Sequence, residues 1–250
     1  MSILNLLTFF LPVLNIFYLY LISSNPSSFF IYSIIFSFVN FLVFLYFFKK
    51  FKKTKALGSV VIYYLFLCFS SLYFVFVKNI EFRLFYYPLV YLCSLFSLLH
   101  IKNIYFSVRE NYFLDQINYY LFIFSLFFVS SSLFYLLTFL SWHLFIVLFV
   151  LFVFTSLYSF YYFSYISDFK KEFFIFSIIL SLVSLEIFVV LSFLPYMVPI
   201  LSLIYTVSVF FIFNLCINKF SDKFSSKDIK KLFFISLAVI VVSLILVKRF

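Results

Sequence analysis

Glu186 is the one acidic or basic side chain that falls well inside an apolar run of this 250-residue chain. A carboxylate in hydrocarbon is costly unless it is paired, hydrated or protonated, so it marks either a proton or cation site or a hydrogen bond between helices. The hydrogen bond is the expected role. The acid would be protonated and held by Asn15, Asn40, Asn214 or a tyrosine hydroxyl on a neighbouring helix, since no basic residue stands at its depth to pair with it. On the same segment Ser177, Ser181, Ser184 and Ser192 fall within about 80° at 100° per residue, roughly opposite Glu186. Such a stripe lets two helices approach closely, so packing is its expected role, ahead of a substrate path. Both faces of that helix should then touch protein or water.

Other side chains offer less chemistry. Cys68, Cys93 and Cys216 lie in apolar runs without CxxC spacing or a nearby histidine, and are expected to be buried, inert thiols. His100 ends an apolar run and His143 sits beside Trp142 in a tight turn, so interface anchoring or solvation is expected of each. Tyr158, Tyr161, Tyr162 and Tyr165 repeat at helical spacing near one end of a run and read as an interfacial aromatic belt. There is no GxSxG, HExxH or Walker lysine loop, and one glycine cannot build a phosphate cradle. No catalytic set, cofactor or metal site is expected.

These residues must be positioned by membrane helices. A hydrocarbon core of about 30 Å needs roughly 20 helical residues. Nine apolar runs qualify: 3–22, 29–48, 60–77, 84–101, 119–140, 144–166, 173–194, 198–217 and 232–247. They are apolar all round and twice as long as barrel strands, so the expected fold is all-α, a polytopic transmembrane helical bundle forming one integral membrane domain over 1–250. The intervals 102–118 and 218–231 are the longest, too short for a soluble domain, and are expected to begin or end as interfacial helix. The last run is the shortest. Gly58 is expected in a loop, leaving close helix contacts to serine and threonine. Pro12 and Pro88 are the only breaks inside helices.

Charge orients the nine runs. Of 18 Lys and Arg, 14 lie in four alternate intervals, 49–55, 102–109, 170–171 and 219–231, while 23–28, 141–143 and 195–199 are nearly uncharged. Positive charge is retained in the cytoplasm, which places the N-terminus inside and the C-terminus outside. The net charge of +10 is explained by this alternation, so nucleic-acid binding is not expected, and the partners expected are the lipid bilayer and a membrane protein. The lysines at 49, 50, 52, 53 and 55 could meet anionic headgroups, although orientation alone accounts for them. No basic region precedes the first run and Pro12 interrupts it, so 3–22 is expected to be a retained span. The 47 Phe and 21 Tyr against one Gly read as drift in an AT-rich genome rather than an aromatic pathway.

The segment Glu186-Ile-Phe-Val-Val-Leu-Ser-Phe-Leu-Pro195, with the basic stretch Ser226-Lys-Asp-Ile-Lys-Lys231 and the ending Lys248-Arg-Phe250, resembles an uncharacterised multi-pass membrane protein family of candidate-phyla-radiation bacteria. Upstream, Asn103-Ile104-Tyr105 is similar to that family's mid-chain Asn-Ile-Phe segment. The resemblance implies a helical bundle with no assigned activity. The expected function is a non-catalytic component or accessory subunit of a bacterial cytoplasmic membrane. A small transporter or flippase using Glu186 is the second reading, and a mitochondrially encoded respiratory subunit of the inner membrane the third.

Overall fold

A computed structural model describes residues 3–25, 28, 31–32, 35–36, 38–43, 54–77, 80–106, 112–166, 171–221 and 226–247. Eight helices run through them: α1 (Ile3–Ser24), α2 (Thr54–Phe76), α3 (Ile80–Phe106), α4 (Tyr112–Phe139), α5 (Leu144–Ile166), α6 (Lys171–Ser192), α7 (Val198–Ser221) and α8 (Ser226–Val247). Of the second predicted span, residues 31–32, 35–36 and 38–43 are helical and the rest lie outside the described residues. No strand occurs among the described residues.

Among the described residues six segments are long and apolar enough to cross a membrane: Gly58–Phe76, Glu81–Ile104, Tyr120–Phe139, Leu144–Tyr161, Phe173–Ser192 and Val198–Cys216. Thr8–Ser24 and Phe233–Val242 are shorter apolar stretches of 10–17 residues. The chain is a helical membrane protein. In a solvent that cannot satisfy backbone N–H and C=O groups, the helix satisfies them within one segment, which is why such uniformly apolar runs take this form.

Helices exceed the predicted spans where the flanks are polar. α3 continues to Phe106, α4 starts at Tyr112 and α7 continues to Ser221, so both long intervals begin or end in helix. Gly58 is a correction: it is buried in the second turn of α2, where the helix formers Lys55, Ala56 and Leu57 carry the helix back to Thr54. Pro12 and Pro88 both lie inside continuous helices.

The connections are tight. At the end of α4, Ser141 takes the left-handed conformation (φ 49°), a position usually given to glycine. The Leu136 carbonyl there accepts from both the Leu140 and Trp142 N–H groups, at 3.2 and 3.3 Å. The His143 carbonyl then accepts from Ile146 and Val147, opening α5. Between α6 and α7, Pro195 cannot continue a helix, whereas Pro199 fits the first turn of α7, where its missing N–H would be unpaired anyway. The Met197 carbonyl accepts the first bonds of that turn, from Ile200 and Leu201.

Residue contacts divide the chain into two compact units, Met1–Ser125 and Leu126–Phe250, the division falling within α4. In the first, α1, α2 and α3 pack on one another. In the second, α6 packs between α5 and α7, and α8 packs on α7. Aromatic rings fill that second core: Phe134 of α4 stacks on Phe188 of α6 at 4.1 Å, and Tyr205 of α7 meets Phe188 edge-on at 5.8 Å.

Candidate functional site

The inner face of α6 is built from its hydroxyls. Ser177, Ser181 and Ser184 are buried, each donating to a carbonyl one turn back: Phe173 at 2.6 Å, Ser177 at 2.6 Å and Ser181 at 2.7 Å. Ser181 also accepts from Ser156 of α5 at 2.8 Å, and Ser184 lies 3.4 Å from Thr155 Oγ1. Small side chains bring the two backbones close, and the cross-helix hydroxyl contacts fix their register. Two members of the serine stripe, Ser181 and Ser184, therefore contact α5, and Ser177 is buried one turn before them. The fourth, Ser192, is half-buried at the helix end and donates to the Val189 carbonyl at 2.7 Å.

Glu186 lies on the opposite face, and that face is exposed. Ile175, Ile179, Leu182, Glu186 and Val190 recur at intervals of four, three, four and four residues, a stripe about 80° wide at 100° per residue. Leu182 is 50% and Val190 63% exposed, one turn to either side of the carboxylate. Among the described residues Glu186 makes no hydrogen bond and no ion pair. The periodic reading put serines and carboxylate on opposite faces, and among the described residues the serine side is buried and the carboxylate side exposed.

The asparagines named as partners for Glu186 are engaged elsewhere. Asn15 of α1 donates to Tyr63 Oη of α2 at 3.0 Å and lies 3.3 Å from Ser94 Oγ of α3, joining the three helices of the first unit through buried polar groups. The Asn40 amide donates to the Phe36 carbonyl at 2.9 Å, and the Asn214 amide to the Phe210 carbonyl at 2.8 Å. The Asn15 junction was not singled out in the sequence. Its only signal was an amide inside an apolar run, and nothing in the spacing of Tyr63 and Ser94 on other helices identifies them as its acceptors.

The remaining candidates resolve singly. His100 is buried in the first unit rather than solvated, and α3 continues past it to Phe106. His143 is exposed. Tyr158 is buried in the core of the second unit and contacts Phe154, so it is not a belt residue, whereas Tyr161 is half-buried. The side chains of Tyr162 and Tyr165 lie outside the described residues. Cys68, Cys93 and Cys216 are half-buried and form no disulfide. Among the described residues no His, Cys, Asp and Glu group is placed to hold a metal. Arg83 donates from Nε to the Val77 carbonyl at 2.6 Å, with its guanidinium 5.5 Å from the Phe74 ring centre.

Two open apolar grooves flank these elements. One, of about 430 Å³, is lined by Val13, Ile16, Phe17, Tyr20 and Tyr87 between α1 and α3. The other, of about 150 Å³, includes Phe211, Phe233 and Ser236 between α7 and α8. Neither presents an ionisable group other than a tyrosine. Comparison of the chain with protein-family models, with curated proteins and with solved structures gives no match.

Proposed function

We propose that the chain is a non-catalytic, accessory subunit of a larger assembly in a bacterial cytoplasmic membrane. It would have nine spans, the N-terminus in the cytoplasm and the C-terminus outside. The alternation of basic intervals supports the orientation, because one span more or fewer would scatter the 14 bases over both sides. The observation that carries the functional reading is the placement of Glu186. A carboxylate on an exposed apolar face that bonds to no described residue is costly in lipid, so the face it stands on is suited to another protein.

The alternative of a transporter draws on the same residue. A coupling carboxylate works from a path or cavity between helices, commonly where helices are broken. Glu186 lies outside the hydroxyl-rich packing of α6, and α6 itself is continuous. Extraction in mild detergent is the test: recovery of the chain in a stable complex of defined stoichiometry supports the accessory reading. A purified chain that alone moves a solute across vesicles, with uptake abolished by Glu186→Gln, would replace it with the transporter.

A further inference from the structure

We infer that the exposed stripe of α6 is a docking seam for a transmembrane helix of a partner protein, and that Glu186 receives a lysine or arginine from that helix at matching depth. The inference rests on the accessory-subunit reading and deepens it by naming the chemistry of the partner.

Ile175, Ile179, Leu182, Glu186 and Val190 follow intervals of four, three, four and four, the spacing by which one helix lays a continuous row of side chains against another. The row occupies a single face of α6, opposite the serines that α5 already covers. Lipid alone would be met equally well by a uniformly apolar row. A carboxylate in the middle of it would not.

Depth comes next. Glu186 is six residues short of the end of α6 at Ser192, or about 9 Å along the axis at 1.5 Å per residue. A glutamate stem is too short to carry its charge over that distance to the headgroups, unlike the long stems of lysine and arginine. The exposed Leu182 and Val190 close off both directions along the helix. The carboxylate has to be satisfied where it stands.

Charge then selects the occupant. None of the 18 lysines and arginines of this chain falls inside an apolar run at the depth of Glu186, since all lie between runs or at their ends. A cation that pairs with it at this depth would therefore come from another protein. A second copy of this chain would bring a second carboxylate to the same depth, which is repulsive when both are ionised. A basic side chain on a partner helix neutralises the acid and forms charge-assisted hydrogen bonds with it in a medium where water does not compete.

The experiment uses the full chain in vesicles, labelled with a fluorescent donor. The probes are synthetic leucine–alanine transmembrane helices carrying an acceptor, with arginine, leucine or glutamate at one central position. The arginine helix should associate about tenfold more tightly than the leucine helix. That margin should vanish for Glu186→Gln and Glu186→Leu, and shrink when the arginine is moved one turn along the probe. Circular dichroism confirming unchanged helix content in both variants keeps the comparison valid. Equal association of all probes, or a margin that survives Glu186→Gln, would overturn the inference. Energy transfer between copies of the chain without any probe, lost in Glu186→Gln, would overturn it in favour of a homo-oligomeric seam. These outcomes leave the accessory-subunit reading standing, whereas solute movement by the chain alone removes that reading and the inference with it.

Discussion

Asn15 and Glu186 are both polar residues in apolar runs, and their environments are opposite. The Asn15 amide ties α1 to α2 and α3 through Tyr63 and Ser94, so Asn15→Leu should destabilise the first unit. An interhelical hydrogen bond in a membrane contributes about 0.6 kcal/mol on average and up to about 1.7 kcal/mol. A loss of that order, measured by steric trapping, is expected, and Tyr63→Phe should show part of it without adding fully in the double variant. Glu186→Leu should leave the stability of the isolated chain unchanged or raise it, because no described residue bonds to the carboxylate. A marked fall in detergent melting temperature would mean that Glu186 has a partner inside the chain. The sequence made Glu186 conspicuous by type and placed it opposite the serines. It could not say which face neighbours would cover, because a 3.6-residue period relates positions on one helix and carries no information about the next.

At the scale of the element, α6 is asymmetric in what it tolerates. Ser181 is fully buried against Ser156 of α5, so Ser181→Leu introduces bulk where two backbones approach and should destabilise by about 1–3 kcal/mol. Leu182→Phe, on the exposed stripe one residue away, should be neutral in the isolated chain. Both can be read from the same unfolding assay. The stacked Phe134 and Phe188 rings provide a second test, since a double-alanine cycle should give a coupling of about 0.5–1.5 kcal/mol between α4 and α6. The helices themselves were legible because their apolar runs are long and uniform. Their ends were less so: Gly58 reads as a loop residue by type, yet helix-forming neighbours hold it within α2, and His100 reads as a boundary residue until α3 is seen to continue beyond it. The tyrosine repeat of α5 shows the same limit, because Tyr158 has belt spacing but core surroundings.

For the whole molecule, the testable property is orientation. Single cysteines in a background lacking Cys68, Cys93 and Cys216 should react with an impermeant thiol reagent from outside at Ser141 and Tyr196, both in uncharged connections. Cysteines at Lys50 and Lys170 should react only after the membrane is opened. Labelling of Lys50 and Ser141 from the same side would break the alternation. The orientation rests on a charge pattern that is summed over many residues and needs no knowledge of packing. The division into two compact units was not legible, because it falls within an uninterrupted apolar helix, α4, with no linker to mark it.

The hydroxyls that donate to carbonyls of their own helix have a consequence for biogenesis. Ser97, Ser125, Thr155, Ser177, Ser181, Ser202 and Thr206 each carry their acceptor on the preceding turn. A segment of this kind leaves the translocon with its donors already satisfied and need not wait for a neighbour before entering lipid. The serine content that looks polar on a hydropathy scale should therefore add little to the cost of placing these helices in lipid.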